Sequence, residues 1–328
     1  MITEPQPSTD PAVLRALGRW QLEPIVAVDQ ATSGVMNEVF MVTTSDRTVV
    51  LRKHRRNNLA QVTFEHAVIS YAIAQEIPTP AAIPSRTGEP VVEQEGTYYS
   101  LFSCADGRQV DDDQLSVTHA DAMGSMLARL HDALAGFSVR TPVTPAGAID
   151  RAAIRATISS LIEHIDRLPQ PNEQDVWARE HLLSKESWLA GHPVLAWQHS
   201  PADLTQLVHG DYLHTNLFFQ HTDVSAVIDW DKAERRWPID EIIRAFDLSL
   251  QLRPELCAAM IDGYRSIRPL ALDDLDRSAS NWSLSMLSSQ WLFEGIYRGN
   301  NDRLRAHLRP GPYVPFSDRW ESLRPYLR

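Results

Sequence analysis

The chain has 328 residues, 43% of them hydrophobic, enough for a substantial core and for one large or two ordinary domains. A formal net charge of −11 disfavours nucleic acid as a partner. The polar, acidic first ten residues and the lack of any long apolar run lead us to expect a soluble cytoplasmic protein with no membrane partner. Cys104 and Cys257 stand far apart without CxxC spacing, which excludes a disulfide framework and a thiolate zinc site.

Residues 1–20 read as a polar lead followed by a short helix. Short β-like runs then follow from Ile25 to Cys104: IVAV, VFMVTT, TVVLRK and VVEQEGTYYSLF, the last with Glu95-Gly96 as a hairpin turn. One helical segment, LAQVTFEHAVISYAIAQE, interrupts them, with Val62, Ala67, Ile69, Ala72 and Ile73 as its apolar stripe. TSGVMNEVF, between the first two runs, holds one glycine, Gly34, which by itself predicts only a turn. Beyond Asp106 the pattern turns helical: Ala122, Met123, Met126, Leu127 and Leu130 recur at helical spacing, with similar periods over 151–167, 174–190 and 281–298. One β-rich island, QLVHGDYLHTNLFF to SAVIDWD, interrupts the helices. The expected fold is α+β, with a small antiparallel sheet and one helix over 21–103, a larger mainly helical part over 104–328, and a ligand cleft between them.

The stretch LVHGDYLHTNLFF gathers polar groups between apolar flanks. A metal-dependent phosphohydrolase would use His209, Asp211 and His214 with Asp229 or Asp231 as a further ligand. A phosphoryl-transfer loop would use Asp211 to orient or deprotonate an attacking hydroxyl. Asn216, five positions on, and Asp229, at the end of the next strand, would then hold magnesium. The second reading explains Asn216, which the first leaves idle. A non-catalytic nucleotide-binding protein has little chemical need for all three residues, and a plain hydrogen-bonded turn has still less. Upstream, TVVLRKH puts Arg52 and Lys53 on opposite faces of a strand, so either can supply a phosphate-binding cation, with Glu65 as the carboxylate that holds it; a solvated basic turn is the alternative. Asp231 is a candidate for the metals or the substrate. Trp291, Glu294 and Tyr297, spaced for one helix face, suit an amine-bearing acceptor through cation–π and charge pairing, unless they belong to an ordinary packed amphipathic helix.

HGDYLHTNLFF followed by VIDWDKA resembles the paired motifs of the aminoglycoside phosphotransferase and choline kinase-like family, and VVLRKHRR and TFEHAVISYA resemble most its type II homoserine kinase-like branch. The resemblance extends over roughly 34–298. It implies a two-lobed, eukaryotic-protein-kinase-like fold and ATP- and Mg2+-dependent transfer of the γ-phosphate to a hydroxyl of a small molecule, such as an amino alcohol or an antibiotic. It also implies Asp211 as the catalytic aspartate, Asn216 and Asp229 as magnesium ligands, and Arg52 rather than Lys53 as the cation held by Glu65. Gly34 and Asn37 would lie in the phosphate-covering loop, Ser103 and Ala105 would offer main-chain contacts to adenine, and His209 would be structural. After Asp229 the family's usual glycine-proline stretch is replaced by KAERRWPIDEIIRAFDL, which leaves Asp240, Glu241 and Asp247 as alternatives for a stabilising acid. No motif selects the acceptor or an oligomeric state.

Overall fold

A computed structural model describes residues 10–31, 38–55, 58–138, 149–191, 205–308 and 314–327. In chain order the main elements are α1 (Pro11–Leu17), β1 (Ile25–Gln30), β2 (Glu38–Thr44), β3 (Thr48–His54), α2 (Leu59–Ala74), β4 (Ala82–Ile83), β5 (Val91–Gln94) and β6 (Thr97–Ser103). Then come α3 (Val117–Ala135), α4 (Arg151–Asp166), α5 (Glu173–Gly191), β7 (Gln206–Val208), β8 (Leu217–Gln220), β9 (Asp223–Val227), β10 (Glu234–Arg236) and α6 (Ile239–Leu248). The last are α7 (Pro254–Arg265), α8 (Leu272–Ser288), α9 (Trp291–Tyr297) and α10 (Phe316–Leu323).

These elements form two compact units. The first comprises Met1–Pro142, Thr205–Gln251 and Glu255–Pro269, and the second Val143–Leu204, Leu252–Pro254 and Leu270–Arg328. The division does not fall at residue 103, because α3 and the β-rich island pack into the same unit as the N-terminal sheet.

In the first unit β1, β2, β3, β6 and β4 run in that order, all pairs antiparallel, with β5 also on β6. The β5–β6 hairpin turns at Glu95-Gly96, both at positive φ (53° and 75°), the primed-turn geometry that the right-handed strand twist favours. Phe40, Val42, Val49, Leu51, Tyr99 and Leu101 alternate onto one face and pack against Leu17 and Trp20 beneath α1. Helix α2 begins at Asn58, whose side chain accepts the Gln61 N–H, and buries Val62, Glu65, His66, Val68, Ile69 and Ala72. Ala67 and Ile73 of the expected stripe are exposed, because two polar residues occupy the buried face and each finds a partner there.

Helices α3 and α7 approach closely at two glycines. A Cβ on Gly124 would lie 1.9 Å from the Met260 carbonyl oxygen, and one on Gly263 would lie 2.1 Å from that of Asp121. Behind them β7 pairs with β10 and β8 with β9. In the second unit Ile154, Ile158, Leu161 and Ile165 of α4 meet Ala178, Leu182 and Leu189 of α5 and Phe293, Ile296 and Tyr297 of α9. The expected helical period over 281–298 is two helices, α8 and α9, with a break at Ser289-Gln290. The buried Lys185 ammonium donates to the Met286 and Ser289 carbonyls and to the Gln290 side chain, so it caps the end of α8 from another helix. Among the described residues no helix is long and apolar enough to cross a membrane.

Candidate active site

The site grows from the turn after β7. Gly210 has φ +81°, and a Cβ there would lie 2.0 Å from the Lys232 carbonyl oxygen, so only glycine fits this crossing. Helix α6 supplies Glu241, which is buried and accepts the Gly210 N–H at 2.6 Å and the His209 N–H at 3.2 Å. The same carboxylate meets His131 Nε2 at 3.1 Å, and His131 Nδ1 meets the Tyr264 hydroxyl at 3.0 Å. Burial pushes the Glu241 carboxyl up, but the hydrogen bond from His131 and the Gly210 N–H, with the electrostatic pull of the neighbouring imidazoles, outweigh it and leave it below its ordinary value. Among the three acidic alternatives, Glu241 holds the loop through the His209 and Gly210 N–H groups.

His209 has no exposed surface. Its Nδ1 accepts the Asp211 N–H at 3.2 Å and its Nε2 donates to the Ile228 carbonyl at 3.0 Å, so both ring nitrogens are spent holding the loop to the end of β9. That bonding removes His209 from any metal-ligand set. Among the described residues no three His, Cys, Asp or Glu side chains come together as a metal site.

The backbone brings the three phosphotransfer candidates into one neighbourhood. Asn216 follows Asp211 through one turn of 3-10 helix, and its Nδ2 donates to the Asp211 carbonyl at 2.9 Å, a bond that does not use its amide oxygen. The Ile228 N–H donates to the Asn216 carbonyl at 2.9 Å, which sets Asp229 beside Asn216. Asp229 adopts the left-handed region (φ 63°, ψ 67°), sparsely populated for a side-chain-bearing residue, and its side chain stays 35% exposed. Two hard oxygen donors at neighbouring strand ends, one open to solvent, suit magnesium, which completes its shell with water and phosphate oxygens.

On the sheet, Arg52 is buried and Lys53 points the other way, as strand alternation requires. Arg52 Nη1 lies 2.5 Å from Glu65 Oε1, and its Nη2 lies 2.8 Å from Asp229 Oδ1 and 3.8 Å from Asp231 Oδ2. Lys53 pairs instead with Glu38 at 3.3 Å. Burial, with the nearby charges of Asp229 and Asp231, raises Glu65 to about 7 against the downward pull of Arg52. Beneath this pair His54 Nε2 and His66 Nε2 both reach the Ser100 hydroxyl, at 2.9 and 2.7 Å.

The remaining sequence candidates fall elsewhere. Gly34 and Asn37 lie outside the described residues. The Ser103 N–H donates to the Ala81 carbonyl at 3.0 Å, so that donor is already committed to the sheet; Ala105 follows in the open turn after β6. Asp231 is drawn toward Arg52 rather than outward. In the second unit Trp291 is 58% exposed, Glu294 pairs with Arg298 at 2.8 Å, and Tyr297 is buried with its hydroxyl 2.8 Å from Asp175, so the three share no binding face.

Two residues that sequence reasoning did not select lie on Asp211 itself. Lys232 Nζ is 2.8 Å from Oδ2 and Arg244 Nη2 is 2.5 Å from Oδ1. Burial pushes the Asp211 carboxyl up, but Arg244 and Lys232 outweigh it and hold the group below the ordinary carboxylate range. Lys232 stands three residues past Asp229 and Arg244 one helical turn past Glu241, a spacing legible only once the phase of α6 is known.

The model of the phosphotransferase enzyme family matches residues 28–277. A homoserine kinase of Gluconobacter oxydans is 26% identical over 276 residues, covering 80% of this chain and 79% of its own length. Among solved structures, a spectinomycin phosphotransferase in complex with ADP and spectinomycin superposes with a TM-score of 0.68 at 10% identity, covering 97% of this chain and 100% of that one. An amicoumacin kinase in complex with AMP-PNP and Ca2+ gives 0.62 at 16% identity, over 98% and 92%. At these identities the structural likeness establishes a shared α+β kinase fold.

Proposed function

This chain belongs to the phosphotransferase enzyme family and transfers a phosphoryl group to a hydroxyl of a small molecule, and from that premise we propose that it is an ATP- and magnesium-dependent kinase of an amino alcohol. The observation that carries the reading is the junction at Arg52, which joins the Glu65 carboxylate on α2 to Asp229 at the end of β9. A kinase needs this connection, because the cation that holds the nucleotide's phosphates must stand beside the residues that hold its metal.

In this reading Asn216 and Asp229 hold magnesium, which when bound offsets the negative charge of the phosphates. Arg52 turns its Nη2 from Asp229 to the phosphates while Nη1 stays on Glu65, a change its fork of donors permits without moving the side chain far. Asp211 accepts the acceptor's hydroxyl and aligns its oxygen for in-line attack. Held below the ordinary carboxylate range by Arg244 and Lys232, it is a weak base, so its contribution lies first in orientation and in taking the proton late. Glu241, acting through the His209 and Gly210 N–H groups, keeps the loop from shifting as the charges rearrange. The amino alcohol is suggested by the homoserine kinase relative, and ATP by the nucleotides in the related complexes.

The test is magnesium-ATP consumption by the purified chain against amino alcohols, aminoglycosides, peptide antibiotics and nucleosides, with the phosphorylated product confirmed by mass. Transfer to an amino alcohol that falls about 10²- to 10⁴-fold in Asp211→Asn, with ATP binding retained, is expected. Magnesium-independent turnover, or an Asp211→Asn enzyme as active as the parent, contradicts the assignment.

A further inference from the structure

The backbone at Asp229 holds a conformation that a residue with a side chain seldom adopts (φ 63°, ψ 67°), and its own side chain caps nothing in the turn that follows. The residues on either side supply the hold. Two positions earlier the Val227 N–H donates to the Pro78 carbonyl at 2.8 Å, and the Val227 carbonyl accepts the Thr79 hydroxyl at 2.5 Å. One position later the Trp230 indole N–H donates to that same hydroxyl at 2.8 Å. Thr79 thus touches the chain on both sides of Asp229, as a donor on one and an acceptor on the other. It lies in the segment between α2 and β4, flanked by Pro78 and Pro80. Their rings fix two φ angles, and Pro80 disfavours helical backbone at Thr79, so the hydroxyl is presented from a stiff stretch of chain.

The hydroxyl works as a spacer. Trp230 Nε1 already lies 3.4 Å from the Val227 carbonyl oxygen, so without the Thr79 hydroxyl these two groups would close directly on each other and neither would be left unpaired. The fold would keep its hydrogen bonds, but the turn from Val227 to Trp230 would tighten. Ile228 is tied at both ends, its N–H donating to the Asn216 carbonyl at 2.9 Å and its carbonyl accepting His209 Nε2 at 3.0 Å. The displacement therefore falls on Asp229, while the Ile228 bond keeps Asn216 in place.

We propose that Thr79 is a positioning residue for the metal: standing between the Trp230 indole and the Val227 carbonyl, it holds Asp229 in the left-handed conformation from which its carboxylate can share a divalent cation with Asn216. The inference rests on the phosphotransfer reading, in which those two residues hold magnesium, and adds a residue from outside both motifs that carry the site. Partners that orient a metal ligand are typically worth 10- to 100-fold in metal affinity; Thr79 fixes the ligand's backbone rather than its carboxylate, so about tenfold is expected.

The test uses the full chain and AMP-PNP, whose binding is measured by calorimetry once with magnesium and once with the metal chelated. In the parent, magnesium should tighten binding, and Asp229→Ala should remove that gain. Thr79→Val, which keeps the shape and deletes the hydroxyl, should cut the gain about tenfold or abolish it, with metal-free affinity within about twofold of the parent's. Thr79→Ser keeps the hydroxyl and should restore most of the gain. In turnover, Thr79→Val should need about tenfold more free magnesium for half-maximal rate, with kcat at saturating magnesium within about twofold of the parent's. A thermal melt close to the parent's shows that the variant is folded.

The proposal alone is overturned if Asp229→Ala loses the magnesium gain while Thr79→Val keeps it. It also falls if Thr79→Val weakens metal-free and magnesium-bound AMP-PNP alike, which would make Thr79 merely a brace between the segment before β4 and the end of β9. A parent that gains nothing from magnesium, or an Asp229→Ala chain that gains as much as the parent, overturns it together with the phosphotransfer assignment of Asp229. Should Thr79→Val not fold, Trp230→Phe removes one of the two links and keeps the ring against His209. It should reduce the magnesium gain about threefold, and an unchanged gain in that variant sinks the proposal.

Discussion

Two buried glutamates hold the site, and they do so by opposite means. Glu65 lies in a network of charges: Arg52 touches it, Asp229 and Asp231 are near, and burial leaves its carboxyl raised to about 7. Glu241 lies among fixed donors, two backbone N–H groups and an imidazole, and its carboxyl is held below the ordinary value. The first arrangement can be redrawn when a nucleotide and a metal arrive, because arginine can exchange one anion for another. The second cannot be redrawn without breaking the loop. A phosphotransferase needs both, a junction that rearranges and a frame that does not.

The largest effect should come from removing the frame. Glu241→Ala strands the His209 and Gly210 N–H groups and His131 in a region closed to water. Breaking a buried charged hydrogen-bond set costs roughly 3–5 kcal/mol, so the thermal midpoint should fall by on the order of 10 °C, with activity lost in parallel. If calorimetry found a melt within a degree or two of the parent, the comparison would lose one of its halves.

Acid should act next, and from the other side of the comparison. His54 and His66 lie beneath Arg52 and titrate at about 3 and about 4, lowered first by burial and then by the Arg52 charge. Their ordinary value is 6.5, so between pH 6.5 and about 4 the unfolded chain binds protons that the folded chain refuses, and stability falls as pH falls. Each contributes up to about 1.4 kcal/mol per pH unit in that window, so unfolding free energies from denaturant melts at pH 7 and pH 5.5 should differ by about 2.5 kcal/mol. His54→Gln combined with His66→Gln should flatten that dependence; an unchanged slope would place its origin elsewhere.

How much of this was written legibly in the chain depends on whether the determining contact is local. Asp211, Asn216 and Asp229 were readable because their spacing lies within two adjacent hairpin segments, and a strand's alternation separated Arg52 from Lys53. Glu241 was visible only as one of three acids, since nothing local gives the phase of α6 relative to the loop. Arg244 and Lys232 were missed for the same reason: their partner Asp211 is 33 and 21 residues away. The stripe expected on α2 failed where polar side chains are buried with partners, as Glu65 and His66 are. Trp291, Glu294 and Tyr297 do lie on one helix, α9, but Tyr297 turns into the core onto Asp175, 122 residues earlier in the chain, while Glu294 pairs with Arg298 and Trp291 stays exposed, and the buried contact is one no local pattern shows.

Within the junction, Glu65→Gln keeps the shape and removes the charge that steadies Arg52. The expected result is a KM for ATP raised about tenfold, with a much smaller change in KM for the acceptor, since an ion pair of this kind serves the nucleotide's phosphates. A change confined to the acceptor would move Arg52 and Glu65 to the other substrate.

The smallest effect separates the two adjacent cations. Lys53 pairs with Glu38 at 3.3 Å, both side chains about a quarter exposed, whereas Arg52 pairs with Glu65 in the buried face of the same strand. A partly solvated lysine pair is worth roughly 0–1 kcal/mol, because water and salt already screen it. Lys53→Ala should therefore shift the melt by no more than about two degrees and leave KM for ATP within about twofold, while Arg52→Ala raises that KM by more than tenfold. Equal losses from the two substitutions would mean that the phosphates reach across the strand to both faces, and the alternation that assigns the cation to Arg52 would no longer decide it.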